Sequence, residues 1–164
     1  AASYQIYRST KKDGDYQHIK TIDSVGTSSW TDSSVKTGKT YYYKIKTVVK
    51  TQNGEQTSGF SNVKSAKAVP AKTTLKAKAS DAKNVKLTWS KVKGASGYEI
   101  YRSNSKDGKY SKVRTISKGS TTSYKNGKLK KSTTYYKIRA YRKVNGKKVY
   151  GSYSSVVSVK TKAK

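Results

Sequence analysis

Acid–base, nucleophilic or metal chemistry in this chain would have to come from one histidine, His18, and eight carboxylates, because cysteine is absent. A Ser-His-Asp set can be written from His18, Asp13 or Asp15 and a serine, but in a serine-rich chain such sets arise by chance. Glycoside hydrolysis needs two carboxylates flanking one bond. Residues 74–164 hold only Asp81, Glu99 and Asp107, two of them near turns. Asp13-Gly14-Asp15 is too sparse for a metal loop, and both residue types belong to ordinary turns. No glycine-rich loop leads into a helix to cradle a phosphate. The residues predict a non-enzymatic protein with no catalytic, cofactor-binding or metal site and no cofactor.

Charge offers more. Thirty-seven Lys/Arg against eight Asp/Glu give a formal net charge of +29. Residues 1–68 carry +6 of this and residues 69–164 carry +23. Such a field attracts nucleic acid, anionic wall polymers, acidic glycans or a negative membrane surface. Only five of these cations are arginine, the residue suited to bidentate phosphate contacts, so diffuse attraction by lysine is the expected mode. The plainer reading is that lysines solubilise a tyrosine-rich surface and protect sheet edges. No stretch approaches eighteen uninterrupted apolar residues, so no membrane span is expected. The start, Ala1-Ala2-Ser3-Tyr4, carries no secretory signal pattern.

The elements that must position these groups are strands. The apolar fraction is 32%, yet aromatics reach 11%, fifteen of them tyrosine, with abundant Val, Ile and Thr. That composition favours sheet over disorder. The sequence also repeats with a period of about 94 residues, the size of a small domain. Tyr4-Gln5-Ile6-Tyr7-Arg8-Ser9 returns as Tyr98-Glu99-Ile100-Tyr101-Arg102-Ser103, and Lys12-Asp13-Gly14-Asp15-Tyr16 as Lys106-Asp107-Gly108-Lys109-Tyr110. Trp30 falls opposite Tyr124, Tyr42-Tyr43-Lys44-Ile45 opposite Tyr135-Tyr136-Lys137-Ile138, Asn53-Gly54 opposite Asn145-Gly146, and Ser61 opposite Ser154. Period-two alternation predicts strands near 74–80, 83–90, 97–103, 110–116, 121–125, 133–144 and 148–161. The Asp-Gly and Asn-Gly pairs are expected to turn hairpins with positive φ. Seven short antiparallel strands form a two-sheet sandwich.

Val85-Lys86-Leu87-Thr88-Trp89, Gly97-Tyr98-Glu99-Ile100-Tyr101-Arg102, Leu129, Thr134-Tyr135-Tyr136-Lys137-Ile138-Arg139-Ala140 and Gly151-Ser152-Tyr153-Ser154-Ser155-Val156 carry a family likeness. The second copy resembles a fibronectin type III domain, of the Lys/Tyr-rich tandem form common in cell-surface and secreted proteins of Gram-positive bacteria. The resemblance implies an all-β fold of two immunoglobulin-like sandwiches and a secreted or cell-surface location. One departure is that Tyr41-Tyr42-Tyr43 faces only Tyr135-Tyr136, so either a corner tyrosine or a strand residue is lost.

The first copy is the larger departure. Residue 1 aligns near residue 95, so counterparts of the two N-terminal strands and of Trp89 are missing. The expected organisation is an incomplete domain over 1–68, a linker over 69–73 around Pro70, and a complete domain over 74–164. A core tryptophan buries about 150–250 Å², worth on the order of 4–6 kcal/mol at roughly 25 cal/mol/Å². Residues 1–68 are therefore not expected to fold stably alone. The sequence is a piece of a longer chain, or the strands come from an upstream or homotypic partner segment, or the copy is a partial sandwich leaning on its neighbour. The position to be filled lies beside residues 4–8 and 27–32.

If Tyr98, Ile100, Tyr136, Ile138 and Ala140 point inward, alternation sends Tyr101, Lys137, Arg139 and Tyr141 outward. The corresponding stripe in the first copy is Tyr7, Lys44 and Lys46, followed by Val48, so the repetition is expected to be partial. Tyrosines interleaved with cations suit sugar stacking or bases plus phosphates, or else simply brace the sheet by cross-strand pairing. A second cationic cluster is expected in turns at Lys128, Lys130, Lys131, Lys147 and Lys148. The function expected is a structural or adhesive spacer with a basic, low-specificity surface for an anionic polymer or glycan. The rivals are a dedicated polyanion binder, a filament subunit assembled by strand donation into residues 1–68, and an accessory module of a larger wall hydrolase.

Overall fold

The computed structural model describes residues 2–130 and 132–161, apart from the side chain of Ala2. Lys131, one of the turn lysines named above, lies outside them. The chain divides into two compact units, Ala1–Ala68 and Val69–Lys164. Among the described residues all regular structure is strand. Unit 1 contains β1 (Ala2–Ser9), β2 (Gln17–Ile22), β3 (Thr40–Thr51), β4 (Gly54–Thr57) and β5 (Lys64–Lys67). These form one antiparallel sheet in the order β2-β1-β3-β4, with β5 also on β3.

Unit 2 holds β6 (Leu75–Ala79), β7 (Val85–Trp89), β8 (Gly97–Ser103), β9 (Ser111–Ile116), β10 (Ser123–Asn126), β11 (Thr133–Val144), β12 (Lys147–Tyr150) and β13 (Val157–Lys160). One sheet runs β12-β11-β8-β9 with β13 on β11, and a second runs β10-β7-β6. The core lies between them. Tyr98, Ile100, Tyr136, Ile138 and Ala140 face Leu75, Val85, Leu87 and Trp89, and all nine are buried. The expected inward set is therefore the observed one.

The long strand expected over 148–161 is instead two strands, because residues 151–156 leave regular pairing. Ser154 continues the ladder by other means: its N–H donates to the Ile138 carbonyl (2.7 Å), and its Oγ accepts from the Ile138 N–H (3.1 Å). Ser61 makes the same two bonds to Ile45 at 2.9 and 3.0 Å. The tyrosine mismatch also resolves. Tyr43 pairs with Arg8 as Tyr136 pairs with Arg102, and Tyr41 pairs with Ala66 as Thr134 pairs with Val159. Hence no strand residue is lost; Thr134 stands where Tyr41 does, and the spacing changes between Leu129 and Thr134.

The turn expectation holds for one pair in full. Asn145 and Gly146 have φ of 49° and 76°, the primed turn that suits the twist of a hairpin. In the other copy only Gly54 is positive, at 104°. There Thr51 pairs with Gly54, so Gln52-Asn53 form the turn, one residue out of step with the sequence match. Gly14 and Gly108 do not take positive φ; each instead donates to a carbonyl three residues back.

Unit 1 repeats the β8/β9/β11 half of unit 2 but, among the described residues, has no counterpart of β6 and β7. Ile45 is consequently 40% exposed where Ile138 is fully buried. Ser29–Asp32, aligned with β10, forms no strand, because β10 is held by pairing with β7. Within residues 69–73, Pro70 and Thr73 are buried, whereas Val69, Ala71 and Lys72 are exposed. The Pro70 carbonyl occupies the space into which a Cβ on Gly151 would project.

These contrasts predict unequal costs for the two tryptophans. Trp89→Ala should lower the unfolding free energy of unit 2 by about 3–5 kcal/mol, as for large buried aromatics. Trp30→Ala, at a site 38% exposed, should cost under ~1 kcal/mol in unit 1. Denaturant titrations followed by amide NMR signals of each unit measure both, and equal costs would contradict the layer assignment.

Candidate functional site: the cation and tyrosine faces

The outer face of the β8/β11 sheet is built around a buried carboxylate. Glu99, 1% exposed, lies opposite Arg139 in the register. Its Oε2 accepts from Arg139 Nη2 (2.9 Å), Arg139 Nε (3.3 Å) and the Tyr101 hydroxyl (2.9 Å). Its Oε1 accepts from Lys148 Nζ (2.9 Å), the Tyr150 hydroxyl (3.2 Å) and Lys112 Nζ (3.5 Å). Burial alone would raise the Glu99 pKa, but hydrogen bonds from Lys148, Arg139 and Tyr101 outweigh it and hold it at about 2. Burial, together with the hydrogen bond to Glu99, pushes the Tyr101 phenol up. Four strands, β8, β9, β11 and β12, thus meet at one charge.

Around this centre the cations lie on rings. Arg139 stacks on Tyr150 at 3.7 Å from the ring centroid and also lies over Tyr101 and Tyr153. Lys137 Nζ sits between Tyr110 (4.3 Å) and Tyr153 (4.4 Å). Unit 1 repeats the pattern. Lys44 Nζ sits between Tyr16 (4.2 Å) and Phe60 (3.8 Å), and Lys46 lies over Phe60 (4.2 Å). Tyr7 meets Phe60 edge-on at 5.0 Å as Tyr101 meets Tyr153 at 5.3 Å. The stripe is thus more fully repeated than the strand residues alone implied.

The rings that complete it, Tyr16, Phe60, Tyr110, Tyr150 and Tyr153, were not among the candidates. Tyr150 ends β12 opposite Tyr141, while the other four lie at hairpin ends or on the irregular return after β4 and β12, where alternation has no reach. The repeat carried a signal nonetheless. Tyr16 and Tyr110 occupy matched positions, and Phe60 and Tyr153 each precede the matched serine.

Two expectations need correction. Tyr141 is not an outward binding residue: although its register places it on the outer face, it is 1% exposed. Its ring lies over Gly97, directly opposite in the ladder, where any Cβ would strike the Tyr141 phenol and the Ile116 carbonyl. Lys148 covers the ring from the other side at 4.5 Å. In unit 1 the facing pair is Ser3 and Val48, with Val48 also buried, so the smaller side chain and the Cβ change together. Lys148 is likewise not a free turn cation, since it binds Glu99.

Unit 1 lacks the central charge. Gln5 replaces Glu99 and accepts from the Tyr7 hydroxyl at 2.9 Å. Its less exposed charged pair sits elsewhere: Arg8 Nη1 donates to Asp32 Oδ2 at 2.7 Å, and the Tyr43 hydroxyl donates to the same oxygen at 3.0 Å. Burial would raise the Asp32 pKa, but Ser34, Arg8 and Tyr43 hold it at about 2. In unit 2 the neutral Asn126 takes that place, accepting from Tyr136 at 2.8 Å.

His18 is exposed, with Nε2 3.0 Å from the Thr21 hydroxyl and its ring tilted against Tyr7. Among the described residues no group of three or more His, Asp or Glu side chains could hold a metal. Among them, too, no helix is long and apolar enough to cross a membrane.

The architecture has counterparts among solved structures. The FN1-FN3 domains of chicken CNTN1 align with 99% of this chain at a TM-score of 0.50 and 18% identity, and the chain spans 57% of that protein's length. An Fn3-like protein from Clostridium thermocellum matches 59% of this chain and 95% of its own, at 27% identity and a TM-score of 0.46. FN3tt matches 57% of this chain and 96% of its own, at 20% identity and a TM-score of 0.46. No protein-family model and no curated protein sequence matches the chain. The fold is that of tandem fibronectin type III sandwiches, with unit 1 lacking the first two strands among its described residues.

Glu99 dictates a pH response. Its folded pKa of about 2 lies below an unfolded value of about 4.3. Its stabilisation is therefore complete above pH ~4.3, shrinks as the pH falls below that value and is lost as it falls through 2. Glu99→Gln should destabilise unit 2 by on the order of 2 kcal/mol at pH 7, less than for fully buried pairs because Lys112 and Lys148 reach water. Denaturation at pH 7 and pH 2.5 checks this, since the gap between the two proteins should shrink to less than half at the lower pH.

Proposed function

We propose that this chain is a non-catalytic structural and adhesive repeat module of a bacterial cell-surface or secreted protein, a spacer whose basic faces bind anionic polymers with low specificity. The repeated clamp of a lysine between two aromatic rings, Lys44 in unit 1 and Lys137 in unit 2, carries this reading. Rings packed against the ammonium groups hold them in place along β3 and β11, and fixed charge binds with less loss of side-chain freedom. The +23 charge of residues 69–164 supports the same reading, as does the predominance of lysine, a point charge that tolerates varied phosphate, sulfate or carboxylate spacing. Placement at a Gram-positive envelope rests on the likeness of the sequence motifs.

Fluorescence anisotropy with labelled single-stranded DNA and with poly(glycerol phosphate) tests the reading. Affinity for both should fall at least ~10-fold between 50 and 200 mM salt. Lys44→Glu with Lys137→Glu should weaken binding by a similar factor while leaving the Glu99 cluster intact, and neutral dextran should not bind. Salt-independent binding, or full affinity in the double variant, would refute the proposal.

A further inference from the structure

The outer face of the β10-β7-β6 sheet lies on the far side of unit 2's core from Glu99 and carries charge of a different kind. Register sets Lys78 opposite Lys86 and Lys86 opposite Lys125, so three lysines form one row across three neighbouring strands. All three are exposed, while Val85 and Leu87, on either side of Lys86, are buried. Adjacent strands lie about 4.8 Å apart, and like charges directly opposite destabilise a sheet. Around Glu99 the cations are matched by a carboxylate and by rings; here the compensation is slight. Among the described residues Lys78 and Lys86 meet neither a carboxylate nor a ring, and Lys125 has only Asp81, at 3.9 Å. Asp81 is itself engaged in the β6–β7 turn, where it accepts from the Lys83 N–H (2.9 Å) and the Asn84 side-chain amide (2.8 Å).

A cavity of about 300 Å³ opens beside the row, lined by Ser80, Lys86, Ser123, Tyr124 and Lys125. The Ser80 and Ser123 hydroxyls hold no hydrogen bond to another described residue, so two ammonium groups and two hydroxyls border it with donors to spare. The next row of the same face, Lys76, Thr88 and Ser123, adds a cation and a further hydroxyl. We infer that these rows and the cavity form a binding site for phosphate or sulfate groups on an anionic chain that crosses the strands of the smaller sheet. Lysine meets such groups as a point charge that accepts varied oxygen geometry, and the hydroxyls add directed donors. An anion seated there offsets the repulsion within the row, so binding also stabilises unit 2. The site deepens the anionic-polymer reading and rests on it for the class of ligand, but it uses none of the ring-clamped lysines. Residues 29–32, aligned with β10, contain no lysine, so the site belongs to unit 2.

Amide NMR of the whole chain at low salt, titrated with inorganic tripolyphosphate and separately with a short dextran sulfate, tests the inference. Shifts should saturate and be largest at residues 76–78, 86–88 and 123–125, and the tighter of the two probes names the group as phosphate or sulfate. Lys86→Gln with Lys125→Gln should weaken that binding at least ~10-fold. Lys109→Gln with Lys118→Gln removes the same charge from exposed loops and should weaken it less than ~2-fold. Lys137→Glu should leave the shifts on this sheet in place, so failure of the ring-clamp reading and failure of this site are read separately. Lys86→Gln alone should raise the denaturation midpoint of unit 2 at low salt, because it relieves two repulsive pairs, whereas a lysine with a purely structural role would lower it. Shifts spread evenly over the surface lysines, equal losses in the two double variants, or a lower midpoint for Lys86→Gln would overturn the inference.

Discussion

A sheet with one apolar face is stable in water only if a second layer covers that face, and each unit of this chain is organised around that requirement. In unit 2 the small sheet of β6, β7 and β10 lies on Tyr98, Ile100, Tyr136, Ile138 and Ala140 and removes them from solvent. The cover does more than bury area. It gives β10 a backbone partner in β7 and brings the Val92 N–H to the Tyr98 hydroxyl. Where the cover is lacking, in unit 1, the same residue types are partly wet and Ser29–Asp32 does not become a strand. Secondary structure here follows from tertiary packing, as expected where strand propensity reflects fit to a half-buried pleated surface.

The outer faces obey a different constraint. Rows of lysine and arginine repel one another and gain little from isolated surface pairs. Unit 2 moderates this with a single buried carboxylate shared by Arg139, Lys148 and Lys112, and with aromatic rings that receive the cations face-on. A buried Glu99 without those partners would be strongly unfavourable; with them it joins four strands. Unit 1 reaches the same layout with Gln5, a neutral acceptor, and accordingly tolerates Glu55 where unit 2 has Lys148. The ring-clamped lysine persists in both, so it does not depend on the central charge.

Much of this was legible from residue order. Period-two alternation identified the buried set of unit 2, and the 94-residue repeat identified the missing cover of unit 1, because both signals are local or are simple comparisons of the chain with itself. Tyr141 shows where alternation stops: it assigns a face to a side chain but not what lies on top of it. The tyrosine is buried because Gly97 opposite leaves room for its ring and Lys148 closes over it. The cation-and-ring stripe was only half visible for the same reason, since Tyr110 and Tyr153 reach Lys137 from segments without regular pairing. The Asp-Gly pairs misled because turn composition allows several backbone geometries, and the surrounding loop selects among them.

The sequence by itself determined the strand faces, the duplication and the excess of positive charge, all of which are properties of residue type and spacing. Tertiary structure alone decided that Glu99 gathers three cations and two phenols, that Tyr141 is covered, and that the inner face of unit 1 opens as a groove. These depend on which side chains from distant strands arrive at one point, and that is fixed by strand order and register, which local periodicity does not encode.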